Sequence, residues 1–160
     1  KSEELFISNG QLNGLWTEWY ENGQKKEERN YKDGELDGLL TNWYENGQKR
    51  SEENYKNGTC EGLYTEWYKS GQKMEEGRRE NDKKDGVWTI WDEEGYIIRT
   101  ETYKDGKLEG LWTEWYENEN EQKVFEGNYK DGNREGLWTF WDKEGNVTKT
   151  ETYKKGKLVK

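Results

Sequence analysis

Carboxylates are the most abundant groups in this sequence that could perform acid–base chemistry. The chain carries 35 Asp and Glu residues. Three of the glutamates, Glu18, Glu66 and Glu114, occupy equivalent places in copies of one short motif. Two carboxylates can act as general acid and general base, but only when their surroundings push their pKa values apart. These glutamates recur because the motif recurs, so the sequence predicts solvated side chains rather than a catalytic pair.

Other groups that could perform catalysis or bind metal are scarce. The chain has no histidine and one cysteine, Cys60, so an intramolecular disulfide is excluded. Cys60 aligns with Leu36 and Leu108 of other motif copies, and we interpret it as a small apolar filler rather than a nucleophile. There is no zinc-ligand spacing, and the "KDG" segments lack the clustered oxygens of a calcium loop. The sequence therefore predicts a non-enzymatic protein without catalytic residues, cofactor or metal.

The composition is unusual for a folded chain of 160 residues. Charged residues make up 38% and hydrophobic residues 28%, with a net charge of −9. Such a balance is typical of disorder, but 10 Trp and 11 Tyr argue for a fold in which aromatics replace an aliphatic core. The acidic balance (pI about 4.8) argues against binding of nucleic acid or of an anionic membrane, and it favours a basic partner.

One motif is copied along the whole chain, which predicts a single repeat array over residues 1–160. It reads roughly G-L-W-T-E-W-Y-E-N-G-Q-K, followed by a charged stretch and then by Y-K-D-G. Residues 1–13 match the end of a unit and form a half repeat. Full units start 24 or 26 residues apart, at Gly14, Gly38, Gly62, Gly86, Gly110 and Gly136.

Each unit predicts two β-strands. "LWTEWY" is rich in aromatic and β-branched residues and is bounded by "ENG", while "KDG" marks a second turn. Turns thus fall every 11 to 13 residues, which is too close for a helical crossover. We predict an all-β fold: an elongated single-layer antiparallel meander of about a dozen strands, built from repeated β-hairpins.

Two units depart from the motif. The third ends in "GRRENDKKDG", without the usual Tyr and turn Gly, so we expect that turn to be irregular. The fifth reads "YENENEQK", with two extra residues, so we expect a longer acidic loop over Glu117–Glu121. Loops accept insertions cheaply, which favours sequence drift over a specialised contact.

Strand alternation sorts the aromatic residues into two rows. The row of Trp19 is the same in all six units, and this constancy predicts packing against neighbouring repeats, together with the tyrosines equivalent to Tyr31. The row of Trp16 also accepts Leu and Tyr, so it could be core or binding surface. The candidate partner-binding face, drawn from that second side of the strands, consists of Trp16, Tyr20, Trp88, Trp112, Tyr116 and Trp138.

The spacing Y-x-D-G-x-x-x-G-x-W-x-x-W resembles MORN repeats (membrane occupation and recognition nexus), and most closely the bacterial variant found in YwqK-family antitoxins. The residues that carry the resemblance include Tyr103, Asp105, Gly106, Gly110 and Trp115. It implies a twisted antiparallel sheet, often grooved, and a role in protein–protein interaction or scaffolding. Choline-binding repeats are also short aromatic hairpins, but their period is nearer twenty residues.

Two functions remain open from the sequence. One is a protein-interaction module, antitoxin-like, in which carboxylates steer a basic partner and aromatics anchor it. The alternative is a cell-surface carbohydrate-binding protein whose Trp and Tyr face stacks on sugar rings. The chain begins without Met, so we expect a trimmed sequence whose compartment, cytoplasmic or envelope, is left open together with its oligomeric state.

Overall fold

The computed structural model describes residues 4–8, 10–117 and 122–159 of an all-β protein. The chain forms two compact units, Lys1–Lys83 and Lys84–Lys160. The strands starting in the first unit are β1 (Glu4–Ser8), β2 (Gln11–Trp19), β3 (Lys25–Lys32), β4 (Glu35–Leu36), β5 (Gly38–Trp43), β6 (Lys49–Lys56), β7 (Thr59–Trp67), β8 (Lys73–Glu80) and β9 (Lys83–Trp91). Those of the second are β10 (Ile97–Lys104), β11 (Lys107–Trp115), β12 (Lys123–Lys130), β13 (Asn133–Trp141), β14 (Val147–Lys154) and β15 (Lys157–Leu158).

The strands form one antiparallel sheet in which strand order follows chain order, with β4 pairing beside β5 on β3. The predicted meander of repeated hairpins is confirmed, and the described residues contain fifteen strands rather than about a dozen. The single array over residues 1–160 stays a prediction. Most of the acidic loop expected at Glu117–Glu121 lies outside the described residues.

The second turn of each repeat is a two-residue hairpin turn. At Asp33 and Gly34 both φ angles are positive, 50° and 85°, which only Gly, Asn and Asp adopt readily. The third repeat was expected to be irregular here, and that expectation is wrong. Asn81 and Asp82 adopt φ values of 51° and 65°, so they make the same turn without a glycine.

A hydrogen bond ties each of these turns to the preceding repeat. The amide of Asp33 donates to Oδ1 of Asn13 at 2.9 Å, and the amide of Gly34 donates to the carbonyl of Leu12 at 2.9 Å. Later repeats use a carboxylate in place of Asn13, so acidic residues here cap a turn about twenty residues ahead. The acceptor residues are Asn13, Asp37, Glu61, Asp85, Glu109 and Glu135.

The opposite turns are tied by side chains to the following repeat. The hydroxyl of Tyr20 donates to the carbonyl of Trp43 at 2.7 Å, and the amide group of Asn22 donates to the carbonyl of Glu45 at 2.7 Å. Where the Tyr20 position holds Asp142, the carboxylate instead accepts the amide of Asn146 at 2.8 Å within its own turn. This backbone hydrogen bond lowers the pKa of Asp142.

Register divides the side chains between two surfaces of the sheet. Trp16 pairs with Arg29 and Gly14 with Tyr31, so the Trp16 and Tyr31 rows share one surface, which we call the tyrosine face. Thr17 pairs with Glu28 and lies on the other surface, the threonine face, together with the Trp19 row. The tyrosines were expected to pack with the Trp19 row. They pack with the Trp16 row instead, because the register places them on its side.

The most deeply packed side chains of the described residues lie on the tyrosine face. Trp88 and Trp138 have no exposed surface. Trp138 lies against Tyr129, with ring centroids 5.2 Å apart in an edge-to-face arrangement, and against Phe125 at 5.8 Å. It also covers Gly127, where a Cβ atom would lie only 2.2 Å from its ring. A glycine opposite the indole therefore makes this burial possible.

On the threonine face Thr17, Thr41, Thr65 and Thr113 are buried and the tryptophans are half-buried. The hydroxyl of Thr113, which is 2% exposed, donates to Glu126 at 3.1 Å. Lys123 binds the same carboxylate at 2.5 Å, and its ammonium lies 5.7 Å from the ring centre of Trp141. The first unit repeats this arrangement with Thr17, Glu28, Lys25 and Trp43. In the Trp19 row, Trp43, Trp67 and Trp141 therefore lie under lysine side chains, and the row is half-buried.

Replacement of Gly127 by Ala should destabilise the protein by about 1–3 kcal/mol, because the new methyl group overlaps the ring of Trp138. Urea unfolding of the intact chain, with the transition midpoint compared at constant m-value, measures this. Asn128→Ala is the matched control, since Asn128 is exposed on the same strand and should change stability by less than about 0.5 kcal/mol. Equal midpoints for the two variants would contradict the packing described here.

Candidate functional site

The six predicted partner-binding residues fall into three pairs according to where the structure places them. The first pair, Trp88 and Trp138, is fully buried. Lys84 covers the ring of Trp88 with its ammonium 3.9 Å from the centroid, and the Arg134 guanidinium lies 4.2 Å from that of Trp138. A partner could not reach either ring in this structure. These two residues therefore belong to the packing of the tyrosine face and offer no exposed surface.

The second pair, Trp16 and Trp112, is half-buried beneath guanidinium groups of the chain itself. Arg29 lies 4.9 Å from the ring centre of Trp16, and Arg99 lies 5.2 Å from that of Trp112. Each arginine is held by a neighbouring carboxylate. Arg99 binds Glu101 at 2.7 Å, and Glu101 is only 4% exposed. The outer ring surface that a ligand would need is thus already occupied by a cation.

Arg29 is fixed in the same way by Glu27. The hydrogen bond between their side chains raises the pKa of Arg29, so the guanidinium stays charged at every pH relevant to the folded protein.

The third pair, Tyr20 and Tyr116, directly follows the ends of β2 and β11, where the first turn of each repeat begins. The Tyr116 hydroxyl donates to the carbonyl of Trp141 at 3.1 Å, as Tyr20 donates to Trp43. Each tyrosine lines an open hollow. That beside Tyr20 measures about 300 Å³ and is also lined by Tyr44. That beside Tyr116 measures about 370 Å³.

The hollow beside Tyr116 brings two carboxylates to an aromatic ring. It is lined by Glu114, Trp115, Tyr116, Glu117, Val124 and Lys143. The Lys143 ammonium lies 5.8 Å from the ring centre of Tyr116. Glu117 is exposed, and Glu114 is half-buried. The site can therefore offer negative charge and a ring edge to a cationic group that enters from solvent.

Comparison with the first repeat shows what is different about Glu114. The equivalent Glu18 binds Lys26 at 2.9 Å. In the fifth repeat Val124 stands where the first has Lys26, and Glu114 forms no ion pair within the described part of the chain. Sequence reasoning identified Tyr116 but missed Glu114, Val124 and Lys143. An alignment of the repeats places Val124 opposite Lys26, and this loss of a lysine could have indicated the site from the sequence.

Cys60 lies on the tyrosine face and is 3% exposed. Its thiol is 3.7 Å from Oε2 of Glu53, which also accepts the hydroxyl of Tyr55 at 3.1 Å. Burial, followed by the nearby charge of Glu53, raises the pKa of the thiol to about 11. A thiol that stays protonated at neutral pH is a poor nucleophile, which fits the interpretation of Cys60 as a filler.

A family model described as a MORN repeat variant matches the chain five times. The matched segments are residues 12–33, 36–57, 61–81, 84–105 and 134–155, and together they cover more than half of the chain. The chain therefore belongs to the MORN repeat family. The insertion of the fifth repeat lies in the unmatched stretch between residues 106 and 133. No curated protein matches the sequence closely enough to be reported as a relative.

Membership of this family defines the general class of protein. MORN repeats are non-catalytic modules that serve in interaction with proteins or membranes. Within the described residues there is no helix that is long and apolar enough to span a membrane. Over the same residues, no group of three His, Cys, Asp or Glu side chains is placed to hold a metal ion.

The raised pKa of Cys60 predicts slow alkylation of the native protein. At pH 8 a thiol with a pKa of about 11 has about 100-fold less thiolate than one with the ordinary value of 9.0, so iodoacetamide should react correspondingly more slowly with the native than with the urea-unfolded chain. Mass spectrometry of timed samples measures both rates. Glu53→Gln should accelerate the native reaction, because it removes the negative charge beside the thiol. Equal native and unfolded rates would show that Cys60 is not held in this environment.

Proposed function

We propose that the chain is a non-enzymatic protein-interaction module that binds a basic protein, in the manner of the bacterial YwqK-family antitoxins that its repeat resembles. Family membership supports the general role in interaction. The net charge of −9 supports a basic partner, since a protein of opposite charge is attracted over long range. The observation that carries the proposal is the hollow beside Tyr116, with two carboxylates and no ion pair to Glu114 among the described residues.

A lysine or arginine side chain of the partner fits this hollow chemically. Its cationic group would form an ion pair with Glu114, as Lys26 does with Glu18 in the first repeat. Its aliphatic stem would lie against Val124 and the ring of Tyr116. Glu117, exposed at the rim, would act mainly on the rate of association, as charges at the edge of interfaces do. Lys143 also lines the hollow, which favours a partner that brings a single cation to this point.

The carbohydrate alternative receives less support from the same geometry. Stacking on a sugar ring needs an open aromatic surface. Trp16 and Trp112 lie under Arg29 and Arg99, and Trp88 and Trp138 are buried. A sugar could stack on this row only by displacing arginines that are held by carboxylates. Binding to an anionic membrane is disfavoured in turn by the net negative charge.

Reversal of the charges in the hollow tests the proposal. A hexalysine peptide should bind the intact chain weakly, and its NMR titration should shift the amide signals of Glu114, Tyr116 and Glu117 most. Glu114→Lys combined with Glu117→Lys should weaken this binding at least about tenfold, and higher salt should weaken binding to the native chain.

The matched control is Glu93→Lys with Glu94→Lys, which makes the same change of net charge on exposed residues that do not line the hollow. A native partner should be captured from lysate by the wild type and by this control but lost with the reversed hollow. If both double variants weaken peptide binding equally, only bulk charge acts and the hollow is not the site. If no basic ligand or protein binds at all, the proposed function fails.

A further inference from the structure

The threonine face of the second unit carries three parallel columns of side chains with very little charge. An aliphatic column contains Val87, Leu111 and Leu137, which are 59%, 44% and 58% exposed. A central column contains mainly threonines, and a third contains the half-buried tryptophans equivalent to Trp19. Within the aliphatic column, successive members lie two strands apart, and a residue of the strand between them fills the gap. Leu111, for example, pairs with Asn128 of the neighbouring strand.

Two repeats of this unit have lost the lysines that cover the first unit. Ile97 and Val147 pair with Trp91 and Trp141, at the place where Lys25 pairs with Trp19. Ile97 is 43% exposed and Val147 is 57% exposed. Apolar side chains that replace lysines on an open surface point to a contact that excludes water.

The glutamates of this face have been replaced in the same repeats. Thr100 and Thr150 pair with Thr89 and Thr139, whereas Glu28 pairs with Thr17 in the first unit. One ion pair, Lys123 with Glu126 at 2.5 Å, remains in the three columns as the structure describes them. In a chain of which 38% of residues are charged, this face is close to neutral.

We propose that this face of the second unit pairs with the same face of a second copy of the chain. The charge distribution argues for a second copy. Two chains of net charge −9 repel each other wherever unpaired carboxylates meet, and here the carboxylate within the columns, Glu126, is neutralised by Lys123 at 2.5 Å. A basic protein would gain no electrostatic attraction on this surface. Sheets that pack face to face lie about 10 Å apart and interdigitate residues of this kind.

The arrangement of columns is self-complementary under a two-fold axis, the symmetry of most homodimers. If the axis runs along the threonine column, each copy lays its aliphatic column on the tryptophan column of the other. Leucine and valine then meet indole rings and threonine meets threonine at the centre. The ion pair of Glu126 with Lys123 meets the same ion pair of the other copy. Carboxylates such as Glu135 stay at the border of the contact, where Glu135 already accepts the amide of Lys155 at 2.7 Å.

This inference is independent of the proposed function. The hollow beside Tyr116 is built around Glu114, which shares the tyrosine face with Trp112, and the paired surface is the opposite one. Of the residues that line the hollow, Trp115 also belongs to the tryptophan column, and neither test replaces it: the hollow is changed at Glu114 and Glu117, and the paired face at Leu111 and Leu137. Loss of the dimer would leave peptide binding unchanged, and loss of peptide binding would leave the dimer unchanged.

Analytical ultracentrifugation of the intact chain, from about 1 μM to about 500 μM, tests the proposal. The wild type should reach twice the 19.2 kDa mass of one chain, and 0.5 M salt should not dissociate it. Leu111→Glu with Leu137→Glu should weaken dimerisation at least about 100-fold, because each substitution enters the contact twice.

Leu39→Glu with Leu63→Glu is the matched control, since these residues hold the equivalent places in the first unit and add the same charge. This variant should remain a dimer. Should the glutamates unfold the second unit, Leu111→Asn with Leu137→Asn replaces them, because Asn128 is already tolerated on this face. A monomeric wild type over the whole range, a dimer that survives both double variants, or a control that dissociates equally would each overturn the proposal.

Discussion

The hydrogen bond from the amide of each two-residue turn to a side chain of the preceding repeat is the interaction on which the sheet depends. In it, residue i accepts from residue i+20 or i+22, as Asn13 does from Asp33 and Glu109 from Asp131. It satisfies an amide that the hairpin leaves unpaired, and it fixes the position of one hairpin on the next. Because five of the six acceptors are carboxylates, part of the acidic composition is a structural requirement. A high proportion of acidic residues is typical of disordered chains, but here several of the carboxylates hydrogen-bond one repeat to the next.

Once the hairpins are positioned, alternation decides the role of each aromatic residue. The tyrosine face contains the packed rings, and its depth depends on what stands opposite each one. Trp138 is fully buried because Gly127 leaves room for its ring, whereas Trp16 pairs with Arg29 and lies half-buried beneath it. The threonine face uses small buried hydroxyls and covers its tryptophans with lysines that carboxylates hold in place. Both kinds of packing stabilise a single-layer sheet with few aliphatic residues, because each ring packs against a side chain of a neighbouring strand rather than against a second layer of helices or strands.

The fold was predictable because its signal is repeated, while the site was less so because it depends on cross-strand pairs. A period of 24 residues, the "NG" and "DG" turns and the absence of proline together indicate a meander of hairpins. The packing of Trp138 on Gly127 and the position of Arg99 over Trp112 are contacts between neighbouring strands, and that information appears only with the register. The turn at Asn81 and Asp82 was mispredicted because two residues that tolerate positive φ replaced the expected Asp-Gly. The hydroxyl contacts of Tyr20 and Tyr116 also join residues more than twenty positions apart, which strand alternation cannot reveal.

The departures from the repeat, rather than the repeat itself, are therefore the places where a particular function can be sought. A residue that recurs in every copy has a partner within the chain, as the acceptors of the turns and the lysines over tryptophan have. Where a copy loses such a partner, a group is left whose chemistry is available to another molecule. Val124 in place of a lysine leaves the carboxylate of Glu114 without its ion pair among the described residues, and Ile97 and Val147 leave an apolar surface in place of ammonium groups. The two changes expose opposite chemistries on opposite faces of the second unit, so the basic ligand and the second copy that we propose would meet different faces of the sheet.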